Sequence, residues 1–277
     1  MDIEKQKDEA LSQLKNLEIN KITLARDIFF IPGWSSENCG AWLEPYTDNN
    51  TSMKEWLERT TTNWQGKAHF VTFTEEESKK SRSFIDFGKA LLQKISPYIG
   101  ASETKIDLIG HSMGGLDISS SIIYNVIPLE KVKNVMTLGS PFHGSEWGRL
   151  MKDIEKFSWL FLGGWMAIRA MLMAKGYSYY HILQLENMNP KGRLIKEFNS
   201  KENRIKLLNS VSKLYTFFGT DDDTVKESAL FNGFGIAQNI LQQKLEAVCV
   251  EGATHSGASG LPQDPRVVLG ILKIVSA

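Results

Sequence analysis

Apolar residues in this chain fall into short, nearly continuous runs separated by longer stretches with helical spacing. The runs cover 27–31, 69–73, 105–109, 132–138, 214–218 and 247–250. They are partly β-branched and carry turn residues at their C-terminal ends. A run that is apolar at consecutive positions predicts a strand covered on both faces, as in a parallel sheet with helices above and below. Helical periodicity predicts helices over 52–59, 83–98, 115–125 and 264–275. Ile3, Ala10, Leu11, Leu14 and Leu17 recur at helical spacing among charges, which predicts an amphipathic surface helix near the N-terminus. Strands alternating with helices give the α/β class, with a doubly wound, mostly parallel central sheet flanked by helices.

One segment breaks the alternation. About 70 residues separate the fourth and fifth predicted strands, far more than one crossover needs. Residues 157–174 are apolar nearly all round a helix, with Arg169 their only charge. Such a helix must be buried, at an interface, or in a membrane. Its length reaches the lower limit for a span, roughly 18 residues. The mid-segment Arg169 and the Gly163-Gly164 pair argue against a span, and no second span accompanies it. The favoured reading is a cap or lid. The organisation expected is therefore an N-terminal helix over 1–20, a core built from 21–142 and 212–277, and a helical cap/lid insertion over 143–211.

Composition narrows the function classes. Lys+Arg and Asp+Glu both number 32, so the formal net charge is zero and nucleic-acid binding has no electrostatic footprint. The same balance leaves association with a second copy or an apolar interface unopposed, without fixing an oligomeric state. Two distant cysteines, Cys39 and Cys249, leave room for one disulfide but make no staple framework. The first 20 residues are charged and lack a continuous apolar run, so they do not read as a signal peptide. A cytoplasmic location is expected, with peripheral lipid contact through the cap left open.

The most specific chemistry lies at Gly110-His111-Ser112-Met113-Gly114-Gly115, directly after a predicted strand and opening a predicted helix. This is G-x-S-x-G in the strand–turn–helix setting that projects a serine hydroxyl from the top of a sheet. Glycines at 110 and 114 remove side chains that would collide across the turn. Helix N-terminal amides beyond Ser112 would face negative charge developing beside it, and Met113 would offer its N–H to an oxyanion. The alternative is a tight βα turn with no chemistry.

This stretch resembles the nucleophile elbow of the α/β-hydrolase lipases and esterases. Ile31-Pro32-Gly33-Trp34, Leu138-Gly139-Ser140-Pro141 with His143-Gly144-Ser145, Gly219 to Val225, and Thr254-His255 are similar landmarks in the family's order. The similarity covers roughly residues 26–150 and 212–275 and leaves the N-terminal helix and the insertion unmatched. It implies an α/β-hydrolase fold and a carboxylic ester hydrolase working through a serine acyl-enzyme. No cofactor and no metal are implied.

A serine hydroxyl needs an imidazole to take its proton. His255, in a Gly-bounded loop after the last strand, can reach back over the sheet edge, and the order serine, acid, histidine matches the resemblance. His143 is the next candidate. His111 should point into the fold and pack, His69 reads as structural, and His181 lies in the insertion. Three adjacent aspartates, Asp221, Asp222 and Asp223, follow the fifth strand. The family's spacing of Gly219 before and Val225 after picks Asp222, with Asp223 and Asp221 behind it. Asp117, on the helix after the elbow, is a poor candidate. A carboxylate cluster binding a divalent cation is the minor alternative. By the same alignment the N–H of Trp34 is the second oxyanion donor beside Met113, although Pro32 stands where many relatives carry His.

The insertion carries Trp159, Phe161 and Trp165 with several methionines, a lining suited to an apolar acyl chain. A cap that merely packs on the core, or on a second subunit, reads equally well. The expected partner is therefore a small-molecule or lipid ester. An acyltransferase or thioesterase would use the same residues, and a non-catalytic binding protein on this scaffold is the rival from another class.

Overall fold

The computed structural model describes residues 2–34, 39–99, 104–146, 148–149, 170, 173–174, 179–225, 231, 233 and 235–277. Among these residues six strands form one parallel sheet: β1 (Ile28–Ile31), β2 (Ala68–Phe70), β3 (Ile106–His111), β4 (Val132–Leu138), β5 (Lys213–Gly219) and β6 (Leu245–Val250), in the order β2-β1-β3-β4-β5-β6. Among the described residues the helices are α1 (Ile3–Ile19), α2 (Gly40–Leu43), α3 (Met53–Thr60), α4 (Glu75–Lys80), α5 (Phe84–Ile99), α6 (Met113–Ile123), α7 (Tyr179–Asn187), α8 (Arg193–Phe198), α9 (Lys201–Ser210), α10 (Gln238–Lys244) and α11 (Pro265–Val275).

Side-chain alternation splits the core into two layers. Ile28 and Phe30 point to the face covered by α1, α3 and α11, with Ala10, Leu14, Trp56, Leu57, Val268 and Leu272. Phe29 and Ile31 point to the other face, with Phe84, Phe87 and Leu91 of α5, Leu116 and Ile122 of α6, and Leu207 of α9. Burial on both faces is why the inner strands β1, β3, β4 and β5 read as nearly continuous apolar runs. Local chemistry sets the helix starts. Ser52 and Glu55 make a reciprocal capping box at α3, and Asp264 caps α11 ahead of Pro265 at its first position.

The predicted doubly wound class and parallel sheet are found, with differences at the edges. The run 69–73 is a strand only through Phe70, because β2 has a single neighbour and that neighbour, β1, is four residues long. Val71 and Phe73 leave the sheet and pack against the α5 layer. At the opposite edge, β6 starts two residues before the predicted run, and Glu246, Ala247 and Cys249 are exposed. That edge strand is not covered on both faces. Within the proposed insertion, α9 packs against α6 in the layer flanking the sheet. Of residues 157–174, the candidate cap helix, nearly all lie outside the described residues. Among the described residues no helix is long and apolar enough to cross a membrane. Cys39 and Cys249 are both free thiols.

The strand order reverses beside β1, with β2 on one side and β3 on the other. In open α/β sheets ligands bind outside the carboxyl ends of the strands at such a switch point. Registers Ile31↔Gly110, His111↔Leu138 and Gly219↔Val250 align those ends along one edge. At the opposite edge, Arg26 Nε donates to Asp107 Oδ2 at 2.9 Å, and both residues are buried. Burial pushes the Asp107 carboxyl above its ordinary value, against the opposing pull of Arg26 and the Asn134 N–H. Arg26→Met would leave a buried acid without its cation. A loss of about 3–5 kcal/mol is expected from urea unfolding midpoints, with most of it recovered in Arg26→Met/Asp107→Leu.

Candidate active site

Ser112 sits between the end of β3 and the start of α6 at φ 53 and ψ −127, a conformation that L-residues rarely adopt. The surrounding backbone holds it there. The Ser112 N–H donates to Leu138 O at 2.9 Å, and the Gly115 N–H returns to Ser112 O at 3.2 Å. The turn is tight enough to require glycine on both sides. A Cβ on Gly110 would lie 2.5 Å from the backbone of Gly114, and one on Gly114 would lie 2.4 Å from Pro32 O. The loop after β1 closes against the serine, since a Cβ on Gly33 would stand 2.9 Å from Ser112 Cβ.

From the far end of the sheet, the loop after β6 brings His255 to the same place. His255 Nε2 lies 2.9 Å from Ser112 Oγ, and its Nδ1 lies 2.9 Å from Asp222 Oδ2. An ionised carboxylate only accepts, so Nδ1 carries the proton and the Nε2 lone pair faces the hydroxyl. Asp222 is 2% exposed, and its other oxygen accepts from the N–H groups of Val225 at 2.8 Å and Thr224 at 3.0 Å. Burial pushes this carboxyl up, but the His255 hydrogen bond and charge, with the two amides, more than offset it and hold it below the usual range. Asp221 and Asp223 are exposed and accept instead from the hydroxyls of Thr220 and Thr224. Among the described residues no group of three His, Cys, Asp or Glu is arranged to hold a metal ion.

The remaining histidines lie elsewhere or act differently. His69 Nε2 is 2.9 Å from Asp27 Oδ1, with its ring stacked on Phe29. His143 is half-buried in the turn after β4, and His181 lies on α7. The two backbone positions expected to donate to an oxyanion flank the serine. Met113 is the first residue of α6, where helix N–H groups have no intrahelical acceptor, and Trp34 follows Gly33. Trp159, Phe161 and Trp165, the expected acyl-chain lining, lie outside the described residues.

Residues 81–157 match the family model described as a PGAP1-like alpha/beta domain. A triacylglycerol lipase of Pseudarthrobacter phenanthrenivorans is 39% identical over 70 residues, which is 25% of this chain and 21% of that protein. One from Burkholderia plantarii matches at the same identity and length. The chain thus spans about a fifth of the length of these curated relatives. Among solved structures, the mature form of the lipase BlEst2 from Bacillus licheniformis is similar at TM-score 0.50 and 19% identity, covering 92% of this chain and 93% of that one. Phospholipase PlaB from Legionella pneumophila is similar at TM-score 0.63 and 13% identity, covering 91% of this chain and 60% of that one. The fold is that of the α/β-hydrolases.

Within this α/β-hydrolase scaffold, three features of the site were not evident from sequence. His111 was expected simply to pack. It is buried, but its Nε2 lies 2.9 Å from His255 O, and the two rings sit 4.9 Å apart. Burial and the neighbouring His255 lower the His111 pKa to about 3, so its imidazole is neutral. The second feature is Trp34, whose indole Nε1 donates to His181 O at 2.9 Å and so ties the loop after β1 to α7. That helix is itself anchored by buried Gln184, whose amide donates to Ser81 O at 2.9 Å. Backbone carbonyl acceptors distant in sequence leave no signature in a residue string.

The third is Asp117, one turn into α6 and 1% exposed, with neither carboxyl oxygen hydrogen-bonded among the described residues. Burial pushes its pKa well above the ordinary value. The folded state therefore favours the protonated acid. That contribution to stability is full below the unfolded pKa of about 3.9 and is lost as pH rises through the folded value. Asp117→Asn, which has no proton to lose, should flatten this fall, so that its stability relative to the wild type rises from pH 5 to pH 8. Urea unfolding from pH 5 to pH 8 checks the slope.

Proposed function

We propose that this protein is a carboxylic ester hydrolase, an esterase or lipase, that acts on apolar acyl esters through a serine acyl-enzyme. The observation that carries the reading is the single line of contacts from Ser112 Oγ through His255 to Asp222, each 2.9 Å. Similarity over short segments to triacylglycerol lipases supports the ester class.

In this reading His255 Nε2 takes the Ser112 proton as Oγ attacks the ester carbonyl carbon. The carbonyl π pair moves onto oxygen, where the N–H groups of Trp34 and Met113 stabilise the oxyanion. Collapse of the tetrahedral intermediate breaks the carbon–alkoxy bond, and His255 gives its proton to the departing alcohol. Water then attacks the acyl carbon while His255 takes its proton. The acid leaves, and the proton returns to Ser112. Asp222 holds the Nδ1–H tautomer and stabilises the imidazolium in both halves. Each oxyanion donor typically contributes roughly 10²–10³ in turnover.

The insertion over 143–211 is proposed to carry a cap or lid whose Trp159, Phe161 and Trp165 contact the acyl chain, with α9 at its end belonging to the layer that flanks the sheet. The test is hydrolysis of nitrophenyl esters from C4 to C16 by the full chain and by a variant lacking 157–174. Turnover by the full chain with a chain-length preference that shifts on deletion is expected. No turnover of any ester by folded protein rejects the hydrolase reading, and an unchanged preference rejects the role of the cap.

A further inference from the structure

The loop that delivers His255 carries its own internal bonding. Thr254 pairs with the 259–261 stretch through Thr254 N to Ser259 O at 2.9 Å and Leu261 N to Thr254 O at 3.0 Å. Its outer side is strapped to the 44–50 segment. Gln263 Oε1 accepts from the Tyr46 N–H at 2.9 Å, its Nε2 donates to Glu44 O at 2.7 Å, and Asn50 Nδ2 donates to Ala258 O at 2.9 Å. None of these bonds sets where the loop stands relative to Ser112. The bond from His111 does, because His111 is the last residue of β3 and the residue before Ser112.

We infer that His111 is a positioning residue that fixes the His255 backbone against the nucleophile elbow through its Nε2–H bond to His255 O. The reasoning follows from chemistry. A carbonyl only accepts, so Nε2 of His111 must carry the proton. With Nε2 protonated the Nδ1 carries no proton, since burial holds the ring in its neutral form. It sits beside the imidazole that becomes cationic in the proposed mechanism, where a second positive charge would oppose that cation. Burial keeps it uncharged. Trp42 also packs on the His111 ring in a T-shaped contact, at 6.3 Å between centroids. A rigid, neutral donor anchored in the sheet is thus placed under the one loop whose displacement would open the Ser112–His255 contact.

The inference rests on the ester hydrolase reading for its kinetic consequence but not for its structural one. The test compares His111→Phe, which keeps a buried ring and removes the donor, with His111→Gln, whose amide nitrogen can take the place of Nε2. Two readouts are needed, nitrophenyl ester kinetics and the low-field proton resonance of His255 Nδ1–H in the NMR spectrum. His111→Phe should lower kcat by about 10²-fold with KM unchanged, and should broaden or abolish that resonance. His111→Gln should retain both within a few-fold. If His111→Phe does not fold, His111→Asn, whose amide stops short of the carbonyl, replaces it. Wild-type kcat and resonance in the donor-less variant overturn the inference. So do equal losses in Phe and Gln that track thermal stability. Absence of ester turnover in the wild type, with the resonance still responding to His111, sinks the hydrolase reading and leaves the positioning role standing.

Discussion

Ser112→Ala should lower kcat on nitrophenyl esters by about 10⁶-fold, leaving KM and unfolding midpoint near the wild type. The size follows from the kind of group removed. Oγ is the atom proposed to form the covalent bond, and no other hydroxyl stands 2.9 Å from His255 Nε2 among the described residues. What remains should be roughly 10³–10⁴ over water, from the two proposed amide donors and substrate binding alone. Stability should barely move. The backbone at 112 is held by the Leu138 and Gly115 bonds, which alanine keeps, and alanine carries the same positive φ that serine already bears. Steady-state kinetics with a circular dichroism melt checks both halves.

Asp222→Asn is the second large effect, with kcat expected to fall by about 10⁴-fold. The amide would keep the acceptor for the Val225 and Thr224 N–H groups and turn its NH₂ toward His255 Nδ1. That nitrogen must then accept, so the proton moves to Nε2 and faces the serine hydroxyl. Geometry survives while the tautomer is wrong. Asp221→Asn and Asp223→Asn should stay within a few-fold of wild type, because those carboxylates are exposed and bonded to threonine hydroxyls. The depressed Asp222 pKa also has a stability consequence. Its contribution is present above the unfolded value of about 3.9 and is lost as pH falls through the folded value. Asp222→Asn should therefore lose part of the wild type's acid unfolding between pH 5 and pH 2.

How far the sequence could be read depended on whether a feature was local. Each of the six apolar runs overlaps a strand, because a strand buried on both faces must be largely apolar. Errors arose where that condition fails, at the edge strands β2 and β6. The elbow was legible because the turn forbids side chains at 110 and 114, and such exclusion is written directly as glycine. Asp222 was separable from its neighbours only through the spacing of a resembled family. Its burial and the direction of its oxygens are tertiary facts. His111 was read as filler because its partner is a backbone carbonyl 144 positions away, and carbonyls are present at every residue. Trp34's bond to His181 O escaped for the same reason. Asp117 reads from sequence only as a poor candidate for the acid, on the helix after the elbow, and its isolation becomes visible only once α6 is packed.

The central claim is that Ser112 is an activated nucleophile. Intact-mass measurement after treatment with a fluorophosphonate, followed by peptide mapping, tests it most directly. The account predicts one adduct per chain in the wild type, mapped to Ser112, and none in Ser112→Ala. An unlabelled wild type, or an adduct that persists in Ser112→Ala, would contradict it.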